Sequence, residues 1–528
     1  MESKMLVKIK RALISVSDKS LLDVLAKKLS EQGVEIISSG GTRNYILGLG
    51  IDVTPIEKVT GNPEAFGGRM KTLSFQVSSS LLFRRNNESD IRQAKELGID
   101  AIDLVVCNLY PFEETARKKA SLSDLIENID IGGPTMVRAA AKNYESVCIC
   151  TNPSQYKLLL ESLEKNDGFT ELSLRKKLSL EAFRHTASYD SLIASELEKE
   201  NGEELRTITL SPANTTTLRY GENPHQKGWV VKSPLGEGLA QAIPIQGKEL
   251  SYNNLLDADA AYRATCDLNS LCKAPFDSSV VIIKHSNPCG VALSSSPKRA
   301  LELAWSGDPV SSFGSIICFN KEVDKGCAEF LSSRFVEVII APTFSKEALA
   351  LFAEKKNLRL IPLAPNMGYQ SEYMVRSITG GFIVQSEDIG LDENFKMVTK
   401  NSFGEKQQNM AHFATMVTKH LKSNGIALFK EVTDGFMLVG AGMGNPNRLV
   451  SISQAVAKAK ENNITDLSDV ILVSDAFFPF SDNIEATSGA GIKFIIQPGG
   501  SIKDKEVIEA ADKTGTAMIF SGRRHFRH

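Results

Sequence analysis

Lys284 and His285 stand side by side at the end of an apolar run, Val280-Val281-Ile282-Ile283. Such a run reads as a buried strand. A histidine at its end is a candidate general base, because imidazole titrates near neutral pH. An ammonium beside it favours the uncharged ring, the form that accepts a proton. The loop Ser286-Asn287-Pro288-Cys289-Gly290 follows. Alone, such a histidine would read as a hydrogen-bonded structural group, but other candidates accompany it. Leu218-Arg219-Tyr220-Gly221-Glu222-Asn223-Pro224-His225-Gln226 supplies Arg219, whose planar guanidinium matches a phosphate bidentately. Ser474-Asp475-Ala476-Phe477-Phe478-Pro479-Phe480 offers aromatic faces for a flat heterocycle. Asp482, Asn483 and Arg524 add polar groups.

A second set lies in the first 150 residues, where there is no histidine: all 7 lie at position 185 or beyond. Three strand-end loops there carry anion-binding chemistry. Ser15-Val16-Ser17-Asp18-Lys19 follows the first strand. Ser39-Gly40-Gly41-Thr42 opens a helix, where free backbone N–H groups and the helix dipole favour an anion and glycine lets the backbone approach it. Gly67-Gly68-Arg69-Met70-Lys71-Thr72 adds two cations and a hydroxyl. One such turn alone is as easily a plain helix cap; three together favour a phosphorylated ligand at the carboxyl ends of the strands. Acid–base work must fall to Lys71, Tyr110, Asp130 and Lys142, each of which alone would read as a surface lysine, a core-edge tyrosine or a helix cap.

The elements that position these residues alternate. RALISVS, VEIISS, IDVTPI, IDLVVCNLY and ESVCICT read as strands, with helices between them, KSLLDVLAKKLSEQG ending at Gly33. That alternation predicts a parallel sheet with helices on both faces. Residues 151–205 are helical and charged and read as a connector. From 206 the pattern returns to α/β, with strands in SVVIIKHSNPCG, SIICFN, VEVIIAP, GFMLVGAG, VILVSDAFF and IKFIIQPGG. A turn-rich break near 360–405 divides this part into subdomains at 206–380 and 381–528. No short-period repeat and no low-complexity tract stands out.

Composition excludes several classes. The apolar share of 42% and charged share of 23% are those of a globular protein, and a net charge of −2 gives no general reason to bind nucleic acid or an anionic membrane. No apolar run reaches the roughly 18–20 residues of a membrane helix, and the start lacks the apolar core of a signal peptide. Eight cysteines, most within apolar runs, read as buried thiols in a reducing cytosol. Cys148-Ile149-Cys150 reads as a strand with both thiols on one face rather than a metal site.

SVSDK, SGGT, GGRMKT, CNLYPF and IDIGGPTMVRAAAKN, in this order over residues 1–150, resemble the IMP cyclohydrolase domain, of the methylglyoxal-synthase-like fold. The resemblance implies that Ser17, Lys19, Ser39, Thr42, Arg69 and Thr72 hold a nucleotide, with Asp18, Gly40, Gly41, Asn108 and Ile131 beside it. It implies that Lys71, Tyr110, Asp130 and Lys142 surround the reacting atoms. From about 210 to the final Arg-His-Phe-Arg-His, LRYGENPHQ, IIKHSNPCG, SSFGS, VIIAP, MVTKN and SDAFFPF resemble AICAR transformylase, which uses 10-formyltetrahydrofolate. By that resemblance His285 is the base and Lys284 its electrostatic partner. Arg219, Tyr220, Gly314, Asn401, Phe477 and Arg524 hold AICAR; Arg448, Asp482 and Ser501 lie towards the folate; Asn287, Glu337 and Asn483 complete the binding set. The implied architecture is an N-terminal methylglyoxal-synthase-like doubly wound domain followed by two cytidine-deaminase-like α/β subdomains, in a cytoplasmic homodimer. The deaminase likeness raises zinc, but that signature needs Pro-Cys-x-x-Cys, and Pro288-Cys289 has no second cysteine. No metal is expected.

The chain departs from the family in four places. After Lys71-Thr72-Leu73 the family has His-Pro-x-Val-His-x-Gly, whereas here Ser74-Phe75-Gln76-Val77-Ser78-Ser79-Ser80 stands. Gly440-Ala441-Gly442-Met443-Gly444-Asn445-Pro446-Asn447-Arg448 is two residues longer than usual before its arginine, and Ser481 replaces an arginine. Glu337 stands where the family can carry Asp before its Ile-Ile-Ala-Pro run. The first departure motivates an alternative, a monofunctional transformylase with an idle nucleotide-binding first domain. A regulatory or RNA-binding protein on the same folds would need a basic patch with interleaved aromatics, which the charge balance does not favour.

Overall fold

The structure is a computed structural model that describes residues 5–203, 207–208, 215–366, 373–390 and 393–528. It forms two compact units, Met1–Thr215 with a return at Val231–Leu235, and Thr216–Val230 with Gly236–His528.

In the first unit β1 (Arg11–Val16), β2 (Glu35–Ser38), β3 (Thr54–Pro55), β4 (Leu104–Asn108) and β5 (Cys148–Cys150) form one sheet in the order β3-β2-β1-β4-β5. All neighbours run parallel. Ala12, Leu13 and Ile14 of β1 and Leu104, Val105 and Val106 of β4 are buried without alternation. Strands covered on both faces have no polar side, so they read as continuous apolar runs. The helix α1 (Leu22–Glu31) buries Leu22, Leu25, Ala26 and Leu29, one stripe at helical spacing. It stops where Gly33 takes a φ of +71°, a conformation that favours glycine. The helices α2 (Gly40–Gly48) and α3 (Gly132–Lys142) start at the strand-end loops.

The charged stretch expected as a connector holds α4 (Leu172–Glu200), and α4 packs on α3 and β5. Its buried stripe is Arg175, Leu178, Ser179, Ala182, Thr186 and Tyr189. Arg175 is fully buried. Its Nε donates to Tyr144 O at 2.8 Å and its Nη2 to Met5 O at 2.9 Å and Glu145 O at 3.1 Å, while Nη1 donates to Thr170 O. One guanidinium thus saturates main-chain acceptors from three separate stretches of chain. The expected boundary at 205/206 lies outside the described residues.

The second unit is built around an eleven-stranded sheet. Its first half has the helix α5 (Tyr252–Asn269), the hairpin β6 (Ser278–Lys284) and β7 (Asn287–Ser294), then α6 (Pro297–Gly307), β8 (Ser315–Phe319), α7 (Lys325–Ser332), β9 (Val336–Ala341), α8 (Lys346–Phe352) and β10 (Arg359–Pro362). The second half repeats this order: α9 (Glu405–Thr418), the hairpin β11 (Ile426–Val432) and β12 (Gly435–Gly442), α10 (Arg448–Glu461), β13 (Ile471–Ser474), α11 (Asp482–Gly489), β14 (Phe494–Gln497), α12 (Asp504–Thr514) and β15 (Ala517–Phe520). The sheet runs β10-β9-β8-β6-β7-β12-β11-β13-β14-β15, with Lys396–Met397 on the outer edge. The halves are therefore related about the antiparallel seam of β7 and β12, where Leu293 faces Phe436. This is the pair of α/β subdomains the family resemblance implied.

The repeat is invisible as sequence periodicity, yet it is written in two glycines. A Cβ on Gly290 of β7 would meet Ala304 O of α6 at 2.1 Å, and one on Gly440 of β12 would meet Ala455 O of α10 at 2.3 Å. Each helix lies so close on its hairpin that only glycine fits. Where α5 meets the end of α9, buried Asp267 takes Lys419 Nζ at 2.8 Å and His420 Nε2 at 2.9 Å. The expected boundary at 380/381 falls in the turn of a hairpin, Tyr373–Ile378 with Gly381–Ser386, that lies between the halves in sequence. That hairpin leaves Met374, Val375, Ile378, Phe382, Ile383 and Val384 exposed. No helix among the described residues is long and apolar enough to cross a membrane.

Candidate active sites

The strand order of the first unit reverses direction between β1 and β4, which opens a crevice at their carboxyl ends. Asn108, ending β4, accepts hydrogen bonds from Ser17 N at 2.6 Å and Asp18 N at 3.0 Å, and donates to Asp18 O at 2.9 Å. It shapes the Ser17-Asp18-Lys19 loop. Thr42 is buried, its Oγ1 accepting from Val16 N at 3.1 Å and donating to Val16 O at 3.0 Å, so it ties α2 to β1. Ser39, by contrast, leaves its hydroxyl out of any cap interaction at the start of α2.

Beside these loops lies a cleft of about 390 Å³ whose walls include Ser39, Arg69, Lys71, Thr72, Tyr110, Asp130 and Ile131. Ser17, Asp18, Lys19, Gly40, Gly41, Thr42 and Asn108 do not line it; they build the strand ends next to it. Lys71 Nζ pairs with Glu64 Oε1 at 3.0 Å, and Arg69 pairs with Glu127. Asp130 Oδ1 accepts from Gly133 N at 2.7 Å. Burial pushes the Asp130 carboxyl above the ordinary carboxylate range, against the pull of main-chain hydrogen bonds from Gly133 and Tyr110. Tyr189 of α4 holds this turn from behind: its hydroxyl accepts from Asp130 N at 2.8 Å and donates to Asn128 O at 3.1 Å. Burial pushes that phenol up to about 12, so it keeps its proton. The Gly132-Gly133 pair makes the approach feasible. A Cβ on Gly133 would lie 2.3 Å from Asp130 Oδ2, and one on Gly132 2.7 Å from Thr72 Oγ1.

Lys142 is not brought to this cleft. It is exposed at the last residue of α3, whose first residue lies beside Asp130, and ten residues of helix rise about 15 Å. The departing stretch after Lys71 is not a loop. Ser74 caps a helix, Phe75–Leu82, accepting from Val77 N at 3.0 Å, and Val77, Ser80 and Leu81 turn inward. This helix leaves Lys71 and Thr72 in the cleft wall, with Phe75 exposed on its outer side.

In the second unit the expected loop 286–290 is instead a two-residue turn, because Asn287–Ser294 is the strand β7 and Lys284 pairs directly with Asn287. His285 and Ser286 make the turn with φ values of +52° and +61°. The His285 ring is exposed. Lys284 Nζ donates to Gly314 O at 2.8 Å. Gly314 has a φ of +67°, and a Cβ there would come within 3.3 Å of that ammonium. Asn287 donates to His285 O at 2.9 Å and accepts from Lys422 N at 3.1 Å, which joins the turn to the segment before β11. Glu337 is held by Asn254 Nδ2 at 2.8 Å. Arg219 stacks 4.6 Å over the Tyr220 ring and donates to its hydroxyl at 2.7 Å.

Arg448 corrects an expectation. It is buried, with Nη2 2.7 Å from Asn424 Oδ1 and 3.1 Å from Asp475 Oδ1, and Nη1 3.1 Å from Phe477 O. Its charge is neutralised inside the protein and it shapes the 475–477 loop rather than facing a ligand. Asp475 also takes Ser423 Oγ at 2.5 Å and Gly425 N at 2.9 Å. The tail follows the same segment: Ser423 N donates to Arg527 O at 2.8 Å, and Arg524 lies exposed 4.6 Å over the Phe526 ring. Asp482 accepts from Asn483 Nδ2 at 2.8 Å; Asn483 Oδ1 is buried with no hydrogen-bond partner among the described residues. Ser501 accepts from Lys503 N at 3.0 Å at the start of α12, and Asn401 donates to Gly515 O at 2.7 Å. Cys289 turns inward and burial pushes its thiol up to about 12, so it is not available as a thiolate. Among the described residues no group of His, Cys, Asp or Glu is arranged to hold a metal. Sequence reasoning missed Glu64, Tyr189 and Asp257, which act on site residues from other elements and carry no local motif.

A doubly wound unit with a cleft of acid–base and cationic groups, followed by a duplicated α/β unit with a Lys-His turn, defines a two-site α/β enzyme. Residues 22–135 match the MGS-like domain, and residues 140–458 match the AICARFT/IMPCHase bienzyme. Proteins described as bifunctional purine biosynthesis protein PurH are 45% identical to the chain: that of Persephonella marina over 98% of this chain and 100% of its own length, and that of Bacillus cereus (strain ATCC 10987 / NRS 248) likewise. A solved chain described as the crystal structure of ForH is 35% identical over 35% of this chain and 97% of its own, with a TM-score of 0.32. The chain belongs to the AICARFT/IMPCHase bienzyme family.

Proposed function

We propose that the chain transfers a formyl group from 10-formyltetrahydrofolate to AICAR and then closes formyl-AICAR to IMP with loss of water, the last two steps of IMP synthesis. The observation that carries this reading is the match to both halves of the bifunctional relatives over 100% of their length.

In the second unit the AICAR amine is a weak nucleophile, its lone pair drawn into the ring and carboxamide. His285 takes its proton as it attacks the formyl carbon, the Lys284 ammonium stabilises the charge that develops, and the formyl C–N10 bond breaks as tetrahydrofolate leaves with a proton on N10. In the first unit the carboxamide nitrogen attacks the formyl carbon. Lys71 and Tyr110 donate hydrogen bonds to the developing oxyanion, and Asp130, more basic than an ordinary carboxylate, orients and deprotonates the amide. No metal takes part. Lys142, on its distance from Asp130, has no place in this scheme.

The exposed apolar hairpin Tyr373–Ser386 supports a homodimer, since a lone two-stranded hairpin is marginal in water and its apolar side chains call for a cover. We place the enzyme in the cytosol and keep subdomain limits near 380. The test is purified protein with formyl-AICAR alone, following IMP by absorbance. IMP formation is expected; folded protein that formylates AICAR but makes no IMP would leave the first unit a binding domain.

A further inference from the structure

Both residues of the turn that carries His285 are left-handed and neither is glycine. Side chains disfavour that conformation, and in two-residue hairpins of this kind Asn-Gly is the usual choice. The corresponding turn of the second half, Thr433-Asp434, has neither residue left-handed. The first turn therefore needs an external hold, and α5 supplies one. Asp257 Oδ1 accepts from Ser286 N at 2.7 Å, Oδ2 accepts from His285 N at 3.2 Å, and Ser286 Oγ lies 3.2 Å from Oδ1. The two backbone donors of the turn that face neither strand thus converge on one carboxylate.

We propose that Asp257 is a positioning residue for formyl transfer: it holds the His285–Ser286 turn in its left-handed form and so aims the base. The proposal rests on the reading that His285 takes the proton. Asp257 itself touches no reacting atom. Its helix also carries Asn254, which fixes Glu337, so one rigid element sets two sides of the same site. Strain held at a functional position by a surrounding scaffold is how such conformations persist.

The experiment measures kcat and KM for formyl transfer in the full-length enzyme, with cyclisation of supplied formyl-AICAR as the internal control for folding. Asp257→Ala is expected to lower kcat about 100-fold, the effect of misplacing a catalytic group by about 1 Å, with KM for AICAR and cyclisation near the wild-type values. Ser286→Gly added to Asp257→Ala is expected to restore transfer to within about tenfold of wild type, since glycine takes the left-handed form without cost. A merely structural aspartate would give no such rescue. Wild-type transfer in Asp257→Ala alongside a dead His285→Ala overturns the proposal and spares the base assignment. Wild-type transfer in His285→Ala overturns the base assignment itself. Loss in Asp257→Ala with no recovery on adding Ser286→Gly also overturns the proposal. If Asp257→Ala does not fold, Asp257→Asn, which keeps the shape and one acceptor, takes its place; transfer at the wild-type rate in that variant counts against the hold.

Discussion

Each of the two sites has a lysine, and the two are treated differently. Lys71 faces a carboxylate, Glu64, at 3.0 Å, whereas among the described residues Lys284 is paired with a main-chain carbonyl, Gly314 O, at 2.8 Å. The first is a donor within an ion pair; the second donates to a neutral partner. Their partners differ in the same sense. Asp130 is half-buried, accepts from Gly133 N and is backed by Tyr189, while His285 stands exposed on a turn. The first site sets its chemistry by environment, the second by position. Cyclisation should accordingly be sensitive to burial, and formyl transfer to the geometry of one turn.

Three changes sharpen or break that contrast. The largest effect is expected from His285→Ala, which should lower formyl transfer about 10²–10⁴-fold, the usual contribution of a general base, while formyl-AICAR supplied directly still closes at the wild-type rate; loss of both activities would show that the sites are not independent. Lys71→Ala should do the reverse, lowering cyclisation about 10²–10³-fold, as removal of one oxyanion donor does, with formyl transfer intact by the same pair of assays. The smallest effect is on stability, in Asp130→Asn. Burial raises the Asp130 carboxyl above its unfolded value. The folded state therefore binds its proton more tightly, and stability falls as pH rises from the ordinary carboxylate range through the raised value. Asparagine has no charge to bury and keeps an acceptor for Gly133 N. The variant should thus lose cyclisation yet melt a few degrees above wild type at neutral pH, with the gap closing in acid. Thermal melts of both proteins at pH 4 and pH 7.5 check this; a gap that widens in acid would contradict the burial argument.

The sheet strands were legible because doubly covered strands carry no polar alternation, and the site motifs because they keep their order along the chain. What was not legible depends on direction and distance. Pro288 and Gly290 looked like turn residues, but Gly290 is paired in a strand and is glycine because Ala304 O crowds it. Asp130 and Lys142 share a motif, but the motif does not say that a straight helix separates its ends. Arg448 follows a glycine- and asparagine-rich stretch and reads as exposed; only the fold shows Asp475 beneath it. The repeat left no periodicity because its halves share close packing and little sequence. The helix α4 looked like a connector because its inward stripe includes an arginine, which polarity patterns assign to solvent.

That arginine also bears on how the protein is made. The last strand of the first sheet is complete at Cys150, but the carbonyls of Met5, Tyr144 and Glu145 receive their donors only when Arg175 arrives on α4. Leu178 and Ala182 cover the sheet in the same event. With translation at roughly 5–20 residues per second, several seconds pass during which β5 and α3 stand uncovered on the nascent chain. The first unit therefore closes only after α4 has been synthesised, and until then its flank stays open.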